Sequence, residues 1–254
     1  LTARGVLIGT RLPNGTVTAK VPVGAFRDVA GLAGLRRITA AHRVRKNLDV
    51  STPETQATPN YWTLSSPNFV GEAGAGVIIG NVDSGIDWDN DDFKNPDGTS
   101  RILFVWDQND AVGPNPSEYG YGTEWTQAQI DAGAPREADT DGHGTHVMGI
   151  AAGDGSSTGN GQPGDQYIGV APRADIINVA TDFSTTGVID GVNYIFQKAA
   201  DLGKDAVVNL SLGNQFGAHA GPEPFDTALD AITGAGRILV VAAGTAGGQS
   251  LHAG

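Results

Sequence analysis

The chain has 254 residues, a formal net charge of −12 and no cysteine. Disulfides, thiolate metal centres and thiol nucleophiles are therefore excluded, and an acidic balance without a basic stripe argues against nucleic acid or an anionic membrane surface as a main partner. No apolar run approaches the ~20 residues of a membrane-spanning helix, and a chain of this length buries one good core plus a small satellite.

In chain order, Val17, Ala19, Val21 and Val23 alternate with polar or small residues, which predicts a strand. Phe26, Val29, Leu32 and Leu35 then recur at helical spacing, and Arg36–Ala41 reads as a returning strand. Residues 6–48 thus sketch a small α+β unit. Leu48–Thr55 breaks the pattern with turn and linker residues, so that 1–58 forms an α+β segment with its linker and 59–254 the main domain. The glycines of Gly71–Gly76 precede a strand instead of following one, which argues against a dinucleotide site.

Val77–Val82 is an apolar run of the kind that forms a buried parallel strand, and Asp83 is the first carboxylate after it. Open α/β sheets bind ligands at the carboxyl ends of their strands. Ser84 and Gly85 allow a sharp turn there, so that backbone donors can hold the Asp83 carboxylate and aim it at an imidazole. By itself Asp-Ser-Gly is also a common turn. Asp107–Asp139 is a long insertion rich in Gly, Pro, Asn and Tyr, with a short helix-like Gln127–Ile130. Its aromatics either contact a substrate or propeptide or pack on the loop itself.

Asp141-Gly142-His143 runs into Val147–Ala152, a small-residue segment that predicts a tightly packed helix with His143 in its first turn, able to take a proton from a hydroxyl. The alternative, His143 and His146 as a metal pair, lacks a third ligand at zinc spacing. Asp175–Val179, Ala206–Leu212 and Ile238–Ala243 read as strands, and Val188–Leu202 and Phe225–Ala235 as helices. Ile189, Val192, Ile195, Phe196 and Ala199 mark the core face of the first helix. That rhythm predicts an α/β fold, a parallel sheet covered by helices.

Together, Asp83-Ser84-Gly85-Ile86-Asp87 and His143-Gly144-Thr145-His146-Val147 resemble the subtilisin-like serine peptidases, the subtilase family, whose triad runs Asp, His, Ser in chain order. Ile168–Pro172, Val208–Gly213 and Ile238–Gly244 agree with it in order, so the resemblance covers roughly Trp62 to Gly254. It implies a subtilisin-like parallel sheet with helices on both faces, preceded by a small α+β propeptide-like unit, and the insertion is similar to those of the larger subtilases.

The resemblance implies that Asp83 orients the base and that His143 is the general base and then acid. Ser211, Leu212 and Gly213, with Ala243 and Gly244, would bind an extended peptide by strand addition, although Leu210 and Leu212 also read as core. Thr245 stands where the family usually carries an oxyanion-binding Asn. Loss of such a donor costs about 10²–10³ in turnover, a size measured on a subtilisin. No Gly-Thr-Ser-Met-Ala type segment occurs in the sequence, and Ser84, Ser156, Ser157, Ser184, Ser211 and Ser250 all lie in other contexts, so the nucleophile is expected beyond this chain, in further sequence or on a second polypeptide. A non-catalytic, peptidase-like binding or regulatory protein is the alternative.

Asp92 followed by Phe93 matches a family position that helps to bind calcium, and Gly153–Gly161 is an oxygen-rich loop. Structural calcium is therefore an expectation, against a reading of these as solvated acidic loops, and no cofactor is expected for catalysis. The implied partners are a peptide or protein substrate and the protein's own propeptide, cut near Leu48–Thr55 or retained as an uncut extension. No leader-like segment opens the sequence, so a secreted, extracellular location is implied by the resemblance alone.

Overall fold

The computed structural model describes residues 5–11, 17–36, 38, 52–159, 161–213 and 224–242. The chain divides into two units, Leu1–Arg45 and Lys46–Gly254. In the first, Leu7–Arg11 (β1) pairs antiparallel with Val17–Lys20 (β2), and Phe26–Ala30 forms a short helix (α1). The helical spacing predicted a run to Leu35. The helix stops earlier because Gly31 follows it and Gly34 takes φ +87°, and two glycines in four residues cost more backbone entropy than the extra turn returns. Phe26, Leu32 and Leu35 are exposed. Most of the returning strand expected over Arg36–Ala41 lies outside the described residues.

The second unit takes in residues that the sequence assigned to a linker. Thr52 Oγ1 donates to the Ile168 carbonyl at 2.9 Å, and Trp62 Nε1 to the Val170 carbonyl at 2.9 Å. Trp62–Ser65 (β3) and Asn68–Gly71 (β4) make an antiparallel hairpin, with Trp62 and Phe69 edge to face.

The central sheet is built from Ile78–Asp83 (β5), Ile102–Asp107 (β6), Thr123–Thr126 (β7), Asp175–Ala180 (β8), Ala206–Leu210 (β9) and Arg237–Val241 (β10). Its order is β10-β9-β5-β8-β6-β7, parallel except where β7 runs antiparallel to β6. The helices are Gln127–Asp131 (α2), His143–Ala152 (α3), Thr185–Asp201 (α4) and Pro224–Ile232 (α5). Successive strand residues point to opposite faces, so the sheet builds two cores. Ile78, Val82, Ile177, Val179 and Val208 pack with Val188, Val192, Ile195 and Phe196 of α4 and Leu229 of α5. Ile102, Val105 and Ile176 pack with Met148 and Ala152 of α3 on the other face. Each such fully buried aliphatic side chain contributes about 1.5–3 kcal/mol.

Strand β5 has β8 on one side and β9 on the other, although both come later in the chain. The chain runs from β5 to β6 on one side and crosses back from β8 to β9 on the other, so the strand order reverses at β5. Ligands of α/β sheets bind outside the carboxyl ends of the strands at such a point, where Asp83 stands.

The insertion is more regular than the sequence suggested. It carries the strand β7 in addition to the short helix expected at Gln127–Ile130, which forms as α2, and of its aromatics Trp125 and Tyr119 turn inward while Tyr121 stays exposed. Trp125 is buried, and Tyr119 and Tyr121 stack around Trp106 with ring centroids 4.7 and 5.2 Å away. Tyr121 donates to Asp190, and the Tyr119 hydroxyl meets Gln197 and Asn193, so this loop packs on α4. Tyr119 and Tyr121 thus pack on β6 and α4 as well as on each other.

Candidate active site

Two local structures bring the site together. After β5 the chain turns at Ser84-Gly85, with Gly85 at φ +147°, and the buried Asp83 carboxylate accepts the Ser84 N–H through Oδ1 at 2.7 Å. Helix α3 begins at His143 behind Gly142, which takes the left-handed conformation. The two backbones nearly touch: a Cβ at Gly144 would lie 2.2 Å from the Gly85 carbonyl oxygen, so only glycine permits this approach.

The approach sets His143 Nδ1 2.7 Å from Asp83 Oδ1. The Asp83 side chain is fully buried, whereas that of His143 is 48 % exposed. The hydrogen bond to Asp83 is the largest influence on the imidazole and holds its pKa above the ordinary 6.5, against a smaller opposing effect of desolvation. An Nδ1–H committed to Asp83 leaves Nε2 as the free, proton-accepting nitrogen.

Ser211, Leu212 and Gly213 leave the carboxyl end of β9, the strand beside β5, and Leu212 packs partly into the core. Ala242 N–H donates to the Leu210 carbonyl, so β10 leaves the sheet level with β9. Ala243, Gly244 and Thr245 follow and lie outside the described residues.

A sequence profile described as the subtilase family matches residues 74–253. The chain belongs to the subtilase family. Among curated relatives, the chain is similar to a cuticle-degrading serine protease of Arthrobotrys oligospora, 28% identical over 177 residues that cover 68% of this chain and 33% of the relative. It is also similar to subtilisin-like protease 4 of Trichophyton equinum, 32% identical over 184 residues covering 69% and 35%. Among solved structures it is similar to the CspB protease of Clostridium perfringens, with a TM-score of 0.55 and 26% identity over 66% of this chain and 36% of that one. The subtilase chain spans about a third of the length of the curated relatives it matches.

Around the Asp–His pair of this subtilase lie groups that the sequence reading passed over. Asp139 Oδ1 accepts from Ser84 Oγ at 2.8 Å and Gly142 N at 3.0 Å, and Oδ2 from Thr145 N and Oγ1 at 2.8 and 2.6 Å. Partial burial works against its charge, but these hydrogen bonds outweigh it and hold the carboxyl below its ordinary range. Glu137 is buried beside the Asp83 turn. Burial, with Asp107, Asp139 and Asp87 nearby and only the Ile86 N–H in opposition, pushes its pKa up to about 8.

Beneath the site, three asparagines share one register across β8, β5 and β9. Asn81 Nδ2 reaches Asn178 Oδ1 at 3.3 Å and the Gly144 carbonyl at 3.5 Å, and Asn209 donates to Ser211 Oγ at 3.0 Å. The signal was an amide in the middle of each apolar strand, a polar group that must find partners when buried.

Asp92 Oδ1 accepts from Ser157 N at 2.8 Å, and burial raises its pKa. The Asp92 carbonyl accepts from the buried Arg101 guanidinium, which also donates to the Ala152 and Ala174 carbonyls. Burial lowers the Arg101 pKa to about 10, which leaves it charged at neutral pH. Lys94 pairs with Asp89 and Asp91. Among the described residues, no group of three or more His, Cys, Asp or Glu could hold a metal ion, which leaves His143 and His146 without a third such ligand.

Proposed function

We propose that this chain is the Asp- and His-bearing part of a serine endopeptidase that cleaves peptide bonds by acyl transfer, with its nucleophilic serine outside residues 1–254. The supporting observation is the 2.7 Å contact between His143 Nδ1 and Asp83 Oδ1 at the carboxyl end of β5. His143 Nε2 would take the serine proton and return it to the leaving amine, and Asp83 would hold the ring through both transfers. Ser211, Leu212 and Gly213, with Ala243 and Gly244, would pair with the extended substrate, and Thr245 would stand at the oxyanion position. A full-length protein that hydrolyses a panel of peptide p-nitroanilides supports this reading. One that binds the peptides without cleaving them favours the non-catalytic binding protein instead. In the same assay Thr245→Asn, which restores an amide donor, should raise kcat, and an unchanged kcat would remove Thr245 from the mechanism.

Residues 1–58 would act as a propeptide and the protein would work outside the cell. No helix among the described residues is long and apolar enough to cross a membrane. N-terminal sequencing of protein recovered from culture medium tests both points: a start within residues 48–58 is expected, and cell-bound protein that retains residue 1 would contradict them.

We further propose that the cation at Asp92 is Arg101, so that calcium is not required there. Calcium needs about six to eight oxygens, and the Asp92, Ala152 and Ala174 carbonyls already serve the guanidinium. A chelator should leave the melting temperature unchanged. A fall on chelation that calcium reverses, and that is lost in Asp92→Asn, would contradict this.

A further inference from the structure

Asp83 and His143 come from segments sixty residues apart, and a catalytic contact needs its groups held to within about 0.5 Å. Two hydroxyls cross between the segments. Gly144 N–H, on the helix, donates to Ser84 Oγ on the Asp83 turn at 2.9 Å. Asp87 N–H, on the turn, donates to Thr145 Oγ1 on the helix at 2.8 Å. Each hydroxyl then passes its own proton to the same carboxylate: Ser84 Oγ to Asp139 Oδ1 at 2.8 Å and Thr145 Oγ1 to Asp139 Oδ2 at 2.6 Å.

We propose that Asp139 is the positioning residue of the Asp83–His143 pair, a carboxylate that locks the two reciprocal hydroxyl bridges between the Asp83 turn and the His143 helix. A hydroxyl has one proton to give, and an ionised carboxylate only accepts. With both protons drawn toward Asp139, both hydroxyl oxygens keep their lone pairs for the two backbone N–H groups. Asp139 also accepts the Gly142 and Thr145 N–H groups at the start of α3, where four backbone donors lack helical partners. An Asn at 139 would keep the shape but present N–H donors to one hydroxyl, which would turn its proton away and set it against the N–H it now accepts. One bridge would open, and the Gly85–Gly144 contact would lose its clamp.

The kinetic part of the test rests on the proposed peptidase activity, and the spectroscopic part does not. In full-length protein carrying 13Cε1-labelled histidine, the His143 titration is followed in wild type, Asp139→Asn, Thr145→Val and Thr145→Ser, alongside peptide hydrolysis. The groups that raise the His143 pKa are Asp83, Asp141 and Asp139, so Asp139→Asn also removes a charge. Thr145→Val removes a bridge and leaves every charge in place. Asp139→Asn and Thr145→Val should both lower the His143 pKa and reduce kcat on the order of 10²-fold with KM little changed, as a misplaced catalytic group does, while Thr145→Ser keeps wild-type values. A pKa that falls in Asp139→Asn and not in Thr145→Val would show a charge effect alone and overturn the inference. Lower stability with an unmoved His143 titration and kcat would also overturn it. If no variant hydrolyses peptide but the titrations move as expected, the peptidase reading fails and the positioning role stands.

Discussion

Asp83→Asn in the full-length protein is expected to lower kcat about 10⁴-fold, the loss seen when a triad carboxylate becomes an amide, with KM changed only about twofold or threefold. The cause lies in the single contact between His143 Nδ1 and Asp83 Oδ1. The carboxylate oxygen also accepts the Ser84 N–H, so it is an acceptor on two sides. An amide that turns its N–H to the imidazole makes the ring accept at Nδ1 and carry its proton on Nε2, the nitrogen that must receive one, and gives up the Ser84 N–H; an amide that keeps Oδ1 in place lacks the charge that stabilises the imidazolium. The buried side chain cannot escape to water and the fold has no reason to change, so the loss falls on kcat. Retention of more than about a tenth of wild-type kcat would show that Asp83 does not set the tautomer.

Glu137→Gln is expected to leave stability unchanged near pH 4 and to raise it by on the order of 3 kcal/mol above pH 8. A carboxyl with its folded pKa raised from 4.5 to about 8 binds more protons in the native state than in the unfolded state between those limits. Its contribution is therefore fully present below pH 4.5 and is lost as pH rises through about 8. At ~1.4 kcal/mol per pH unit the whole shift amounts to about 5 kcal/mol, an upper value because the group borders an open cleft that water can enter. The cleft is lined by Asp87, Trp88, Arg136 and Asp139 as well, and Arg136 is engaged with Asp110, so no free cation meets an ionised Glu137 there among the described residues. The His143 pKa is also raised, which weakens the fold in the same direction as pH rises, and the Gln variant separates the two. Urea midpoints at pH 4 and pH 9 give the result, and equal stabilities of variant and wild type at pH 9 would contradict a Glu137 whose pKa is raised by burial.

Strands β5, β8 and β9 were legible because a largely buried parallel strand must be apolar at nearly every position, which leaves a mark in the sequence, and β10 carries the same apolar run although most of its residues are exposed. Helix α3 was legible for a different reason, since Gly144, Met148 and Ala152 are small or apolar at helical spacing where the chain must pack closely. Strand β7 was not. Thr123–Thr126 becomes a strand because β6 offers it an edge, and that partner is a tertiary fact with no local signal beyond four residues among glycines.

The same distinction holds in the site. Asp83 and His143 stand at the ends of regular elements, so periodicity placed them. Asp139 and Glu137 lie in the irregular stretch after α2, and their importance comes from the Ser84 hydroxyl and the Ile86 N–H, both supplied by a distant segment. Asp139 precedes His143 by four positions, a spacing that carries meaning only once Ser84 is known to lie beside it.

The most direct measurement is fluorophosphonate labelling of the full-length protein and its His143→Ala variant, followed by peptide mass mapping. An adduct on a serine outside residues 1–254 in the wild type, absent from His143→Ala, is the predicted result. No adduct, or one that forms equally well without His143, would contradict a peptidase whose serine is activated by the Asp83–His143 pair.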